Sequence, residues 1–146
     1  MLDIQKIDHI GIRVRDKDRS VSFYESLGFT MVRDIGFDQG HPVMMKNANN
    51  VVLNILGPSS ETQDENILMD VDEKRYAGYT HIALRVASVK KAEDLFNQLG
   101  YVITERMSFN GFHGIFIRDP DRNVIEFDEY EDDEPQTRNS SRKIQH

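Results

Sequence analysis

Apolar and polar residues alternate from Ile7 to Val14. Ile10, Ile12 and Val14 share one face while Ile7, His9, Gly11 and Arg13 share the other, the two-residue period of a half-buried strand. The period then lengthens. Val21, Tyr24 and Leu27 recur at helical spacing, Asp16 or Asp18 supplies the cap, and Gly28 supplies the stop. A second helix is predicted after Ser88, with an apolar stripe of Val89, Ala92, Leu95, Phe96 and Leu99 and an end at Gly100. Each helix is followed by β-rich stretches: Phe29 to Asp34, Val43 to Lys46 and Val51 to Leu56 after the first, then Tyr101 to Arg106, Gly114 to Arg118 and Val124 to Phe127 after the second. Phe23, Tyr24, Phe96 and Tyr101 are the aromatic core candidates. Each half therefore reads strand, helix and three strands.

The halves are copies. At an offset of 72 residues, His9-Ile10-Gly11-Ile12-Arg13-Val14 lies over His81-Ile82-Ala83-Leu84-Arg85-Val86, and the register runs without a gap to Leu27-Gly28 over Leu99-Gly100. Six of twenty positions are identical, where chance gives roughly one. The same offset places His41 over His113 and Asn54 over Glu126.

Turn residues mark the divisions. Asp119-Pro120-Asp121-Arg122-Asn123 separates the last two strands, and Asn47-Ala48-Asn49-Asn50 occupies the matching place in the first copy. The chain is thus parsed as a first βαβββ module at 1–56, a connector at 57–79, a second βαβββ module at 80–130 and a polar tail at 131–146. Within the connector, Ile67-Leu68-Met69 suits a short element, and the length of the connector lets the second module cross over or pair with another chain. Composition narrows the partners. With 146 residues the chain suits one compact domain or two packed half-domains. A formal charge of −7 argues against nucleic acid and anionic membrane surfaces, leaving a small molecule as the expected substrate. Cysteine is absent, which removes disulfides, thiolate nucleophiles and cysteine-ligated metals from consideration. The N-terminus lacks a signal-peptide pattern and no apolar run reaches membrane-spanning length, so a soluble cytoplasmic protein is expected.

A lone histidine at the start of a strand is commonly a hydrogen-bonded structural residue. Duplication changes that reading. His9 and His81 begin equivalent polar faces, and Glu126 lies on the last strand of the second module, on the face shared with Val124 and Asp128. Two imidazoles and one carboxylate offer three ligands to one side of a divalent ion, leaving positions for water or a bidentate substrate. Asn54, at the fourth equivalent position, is uncharged, so such an ion would keep one more positive charge than between two carboxylates and would favour an anionic substrate oxygen. Arg13 and Arg85 each follow a candidate ligand by four residues on its face and are candidates for substrate contact, Arg13 foremost. His41 and His113 are candidates for an assisting acid or base.

These segments resemble a known family. Ile7 to Val14, Ser22-Phe23-Tyr24-Glu25-Ser26-Leu27-Gly28-Phe29, Tyr79 to Val86 and Arg118 to Phe127 are similar to the vicinal oxygen chelate superfamily, which includes glyoxalase I, bleomycin and fosfomycin resistance proteins, methylmalonyl-CoA epimerase and extradiol dioxygenases. The resemblance spans about residues 4–130. It implies an α+β fold of paired βαβββ modules forming an open eight-stranded barrel around a metal, often completed in a homodimer. His9, His81 and Glu126 match three metal positions, and the divalent ion would be zinc, nickel, cobalt, manganese or iron. Asn54 departs from the pattern, because glyoxalase I-like members place a carboxylate or glutamine there and use two opposed acids to move a proton across an enediolate. Glu126 alone would then abstract and return the proton. Arg13 matches the arginine that contacts glutathione in similar bacterial lyases, whereas Pro58 cannot supply the side-chain hydrogen bond expected four residues after Asn54. The resemblance thus implies a metal-dependent glyoxalase-like lyase or isomerase. Two alternatives stay open: an extradiol-type non-haem iron dioxygenase using His9, His81 and Glu126 as a facial triad, with His41 or His113 assisting, and a bleomycin- or fosfomycin-resistance-type protein that binds or modifies an antibiotic.

Overall fold

The computed structural model describes residues 1–60, 75 and 77–132, and the expectations for Ile67-Leu68-Met69 and for 133–146 lie outside these residues. Strand β1 (Ile10–Arg13) leads to helix α1 (Lys17–Ser26), strand β2 (Thr30–Asp34), a single 3₁₀ turn (Phe37–Gln39) and strands β3 (Val43–Lys46) and β4 (Val52–Leu56). The same order recurs as β5 (Ile82–Arg85), α2 (Val89–Leu99), β6 (Glu105–Phe109), β7 (Phe112–Arg118) and β8 (Val124–Tyr130). Hydrogen bonds join the strands into two sheets of four, ordered β1-β4-β3-β2 and β5-β8-β7-β6. This is the expected pair of βαβββ modules. Among the described residues no helix is long and apolar enough to cross a membrane.

The chain divides into two compact units, and the turn Asp119–Asn123 belongs with the first. In that unit β1 pairs with β4 in parallel, Gly11 opposite Asn54. Its core holds Val14, Tyr24, Val43, Met45, Leu53 and Ile55, each fully buried. Asp16 caps α1, its side chain accepting from the Arg19 amide at 2.8 Å. The buried face of α1 carries Ser20, Phe23 and Tyr24, so the inward stripe runs slightly aside from the expected Val21, Tyr24 and Leu27. Tyr24 decides this orientation. Its hydroxyl donates to Asp119 Oδ2 at 2.8 Å, a bond that a solvent-facing tyrosine could not make.

The turn that Tyr24 grips is tied down by its own side chains. Asp119 Oδ1 accepts from the Asp121 and Asn123 amides at 2.8 and 2.9 Å, and Arg122 takes a left-handed φ of 66°. Asp121 accepts from Arg15 Nε and Arg19 Nη2, both at 2.9 Å. The copy at 47–50 is built alike: Asn47 Oδ1 accepts from the Asn49 and Val51 amides at 3.0 and 2.9 Å, and Asn50 has φ 64°. The 72-residue offset is thus kept in backbone geometry as well as in sequence.

In the second unit β5 pairs with β8 in parallel, Ala83 opposite Glu126. Alternation gives the sheet two dissimilar faces. Ile115, Ile117, Ile125 and Phe127 are buried on one, where Phe96 of α2 meets Phe127 at 5.0 Å between ring centroids. Ser88 caps α2 through the Lys91 amide at 3.1 Å, and Glu129 accepts from the Val89 amide at 2.8 Å. Of the predicted stripe only Phe96 is buried, with Leu95 and Leu99 36% and 41% exposed. Strand β6 begins four residues later than expected because the Asn110-Gly111 turn, with φ 47° and 79°, sets the hairpin register at Phe109 opposite Phe112.

Candidate metal centre

The second face of the β5-β8-β7-β6 sheet carries the polar groups. Counting back from Ala83, which lies opposite Glu126, His81 shares the face of Glu126, and its Nε2 stands 2.8 Å from Glu126 Oε1. Thr80 Oγ1 lies 2.8 Å from His81 Nδ1. With the threonine hydroxyl donating to Nδ1, the Nε2 proton points at the carboxylate. The His81 ring also lies against Phe116, at 5.4 Å between centroids. Glu126 is only 7% exposed, so its charge needs a partner. An imidazole nitrogen and a carboxylate oxygen that converge on one proton can converge on one cation, the proton being displaced. The donor set therefore fits a divalent ion.

Asp128 follows two residues later on the same face. It is 8% exposed and its Oδ1 has no hydrogen-bond partner. Burial, followed by the hydrogen bond to Glu126 and its charge, pushes the Asp128 carboxyl up to about 7 against the pull of Arg85 and His81. Gly114 makes room for it, since a Cβ there would sit 3.0 Å from Asp128 Oδ1. Sequence alternation already put Asp128 beside Glu126, but nothing in the sequence said that both would be buried.

In the first unit, His9 precedes β1 and is exposed, its Nδ1 2.7 Å from Asp8 Oδ1. That hydrogen bond, and then the histidine's charge, holds the Asp8 carboxyl below its usual range. Asn54 lies opposite Gly11, on the face His9 shares by alternation, and its buried Oδ1 has no hydrogen-bond partner. The register thus repeats with an amide in place of Glu126. Arg13 is exposed, and its carbonyl accepts from Asn123 Nδ2 at 3.5 Å. His41 is exposed in the loop after the 3₁₀ turn, its amide donating to the Gly36 carbonyl at 2.9 Å.

The structure brings together His81 and Glu126, and places His9 and Asn54 in the other unit. Among the described residues no group of three or more His, Asp or Glu side chains is gathered as a metal cage. His113 stands apart from Glu126. It is Phe116 that lies opposite Glu126, so the odd-numbered His113 projects from the other face. There His113 bonds Ser108 Oγ and Glu131 Oε1, each at 2.9 Å, and helps line a cavity of about 320 Å³ with Lys90, Glu93, Arg106 and Glu129.

A duplicated βαβββ unit with an imidazole–carboxylate pair on one sheet face defines a paired-module α+β protein. The sequence profile of the Glyoxalase/Bleomycin resistance protein/Dioxygenase superfamily matches residues 6–127, and the chain belongs to that superfamily. It is 23% identical over 131 residues to a glyoxalase domain-containing protein, RDO1, of Mycosarcoma maydis, covering 90% of this chain and 72% of that protein. Its fold is shared with a lactoylglutathione lyase from Agrobacterium tumefaciens, at a TM-score of 0.65 and 21% identity over 88% of this chain and 96% of that one. It is shared equally with TnmS3, an antibiotic binding protein from Streptomyces sp. CB03234, at a TM-score of 0.67 and 16% identity over 89% of this chain and 99% of that one.

Proposed function

We propose that this protein is a metal-dependent, glyoxalase-like lyase or isomerase acting on a small oxygenated substrate. The observation that carries the reading is the 2.8 Å approach of His81 Nε2 to the buried Glu126 Oε1 on one sheet face. His81 and Glu126 would hold a divalent ion such as zinc, nickel, cobalt, manganese or iron, and His9 is the ligand proposed at the matching place of the first module. When bound, the ion supplies Lewis acidity to vicinal substrate oxygens.

The side chains do the rest. Thr80 fixes the ring of His81 so that Nε2 faces the site. Glu126 takes the proton from the hydroxyl-bearing carbon next to the carbonyl and returns it to the carbonyl carbon while the hydroxyl proton passes to the other oxygen, so that the atom count is unchanged, as an isomerisation requires. Phe116 packs against the His81 ring and helps hold it beside Glu126. On the first module, Asn54 is proposed to offer a neutral oxygen at the place matching Glu126, and Arg13 a positive charge for an anionic substrate. A homodimer is the assembly proposed.

Metal uptake by isothermal titration, followed by turnover assays, tests this reading. Wild-type protein is expected to bind one divalent ion per site. His81→Ala, Glu126→Gln and His9→Ala should each weaken uptake by at least about tenfold, with Asn54→Ala near wild type. Hemithioacetal turnover supports the lyase. Ring cleavage of catechols with bound iron, or drug-dependent thermal stabilisation without metal uptake, would overturn it in favour of a dioxygenase or an antibiotic-binding protein.

A further inference from the structure

The first sheet distributes its charge differently from the second. On the face turned away from the core residues Val43, Met45, Leu53 and Ile55, Gly11, Asn54, Met44 and Arg33 form one row across the strands. Two residues along, alternation adds Arg13 of β1 and Lys46 of β3 to the same face. No strand carboxylate joins them. The one acid in β1 to β4 is Asp34, which lies opposite the buried Val43 and bonds Lys17 of α1 at 3.1 Å. In a chain of net charge −7, these strands thus give one face cations alone.

Arg33 and Lys46 are diagonal neighbours on β2 and β3, about 7–8 Å apart at the backbone and within reach of one another's long side chains. The second module shows what side chains in these two places do. At the offset of 72 residues, Arg33 corresponds to Glu105 and Lys46 to Arg118. The register is the same, since Glu105 lies opposite Phe116 as Arg33 lies opposite Met44, and there Arg118 Nη2 meets Glu105 Oε1 at 3.1 Å. The first module puts a cation in both places. Arg33 and Lys46 are exposed, and neither side chain makes an ion pair among the described residues. Like charges in places that bring their tips together repel, and an anion between them removes the repulsion.

We propose that Arg33 and Lys46 form a clamp for a phosphate group, carried by a phosphomonoester or present as the free ion. A guanidinium fork and an ammonium supply donors only, and their two charges match those of a phosphate dianion, whose tetrahedral oxygens serve both at once. Thr30, opposite Lys46 at the sheet edge, adds a hydroxyl to the same face. A planar monoanion would leave one cation uncompensated. For the oxygenated substrate proposed above, the clamp rests on that reading and makes the substrate a phosphorylated one; as an anion site it needs neither metal nor turnover.

The probes are phenyl phosphate and inorganic phosphate, titrated into metal-free full-length protein and followed by amide NMR and calorimetry. Saturable binding is expected, with shifts at Arg33 and Lys46; tighter phenyl phosphate assigns the clamp to an ester, and inorganic phosphate of equal or greater affinity assigns it to the free ion. Arg33→Gln and Lys46→Gln should each weaken the complex by at least about fivefold. Arg33→Glu copies the charge pattern of the second module and should abolish binding, with a urea midpoint at or above that of wild type as the sign of an intact fold. Lys91→Gln, an exposed position on α2, removes the same charge elsewhere and should change the affinity by less than about twofold. Benzoate should bind at least about fivefold more weakly than phenyl phosphate. The clamp is refuted by the absence of saturable phosphate binding, by equal affinity in wild type and Arg33→Glu, by an equal loss in Lys91→Gln and Arg33→Gln, or by equal affinity for benzoate and phenyl phosphate. Metal uptake by Arg33→Glu should match wild type, so a wild-type protein that takes up no metal fails the metal reading and leaves the clamp to its own titration.

Discussion

Replacing Tyr24 by Phe removes one oxygen from a fully buried site and leaves the ring packing unchanged. What is lost is the 2.8 Å hydrogen bond to Asp119 Oδ2. Asp119 is 4% exposed, and after the substitution Oδ2 keeps one bond, from Asn123 Nδ2 at 2.9 Å. A bond to an ionised acceptor is worth about 1.5–3 kcal/mol and a neutral one about 0.5–1.5 kcal/mol; the surviving donor places the loss near the lower end of each range. The pH dependence gives the sharper test. Burial raises the Asp119 carboxyl above its ordinary value, and the donors, Asn123 and then Tyr24, pull it back. A carboxyl raised in the folded state binds protons that the unfolded chain has released, so its contribution to stability falls as pH rises from the unfolded value through the folded one. Losing the Tyr24 donor raises the folded value further and extends that fall. The variant should therefore be destabilised by about 0.5–1 kcal/mol near pH 4 and about 1.5–2 kcal/mol at pH 8. Urea unfolding followed by far-UV circular dichroism measures both, and avoids tyrosine fluorescence, which the substitution itself alters. In an Asp119→Asn background the pH dependence of the Tyr24→Phe effect should disappear. A loss that is the same at both pH values, or below about 0.5 kcal/mol at pH 8, would refute the account.

Gly57→Ala should destabilise by about 1–3 kcal/mol, because a Cβ at 57 would stand 2.0–2.8 Å from three ring carbons of Phe37. Denaturant unfolding measures the cost, and shortening the neighbour with Phe37→Leu in the same chain should recover part of it. Glu129→Ala should cost about 0.5–2 kcal/mol by releasing the first amide of α2, with faster hydrogen exchange at Val89 as its local signature.

The order of elements was legible because the two periods and the 72-residue copy agree. Where the sequence misled, strand neighbours were decisive. Alternation favours a strand from Ile7, yet β1 starts at Ile10, opposite Leu53. Carrying that register back three residues sets Ile7 level with Asn50, whose φ of 64° belongs to a turn and offers no ladder to join. The Asn110-Gly111 hairpin signal could have placed β6 correctly from sequence. The site was partly legible for a related reason. The offset paired His41 with His113 as readily as His9 with His81, but parity on β7 is fixed only once Phe116 is known to oppose Glu126. His113 then falls on the other face.

Comparing the two copies separates what the backbone needs from what chemistry needs. The turn at 47–50 and the turn at 119–123 close around the same pair of amide-to-side-chain bonds, one on Asn47 and the other on Asp119. An oxygen acceptor suffices for the turn, and charge is optional there. Asp119 uses its second oxygen to hold Tyr24, which Asn47 has no counterpart to do. The same substitution separates Asn54 from Glu126. Both occupy the position opposite the second residue of a parallel strand, so the sheet tolerates amide or acid. The acid draws the Nε2 proton of a neighbouring histidine, or a cation in its place, more strongly than a neutral amide oxygen does. The two modules are equivalent frames, and the carboxylates Glu126 and Asp128 stand in one of them, where burial makes their charge costly unless a bound positive group offsets it.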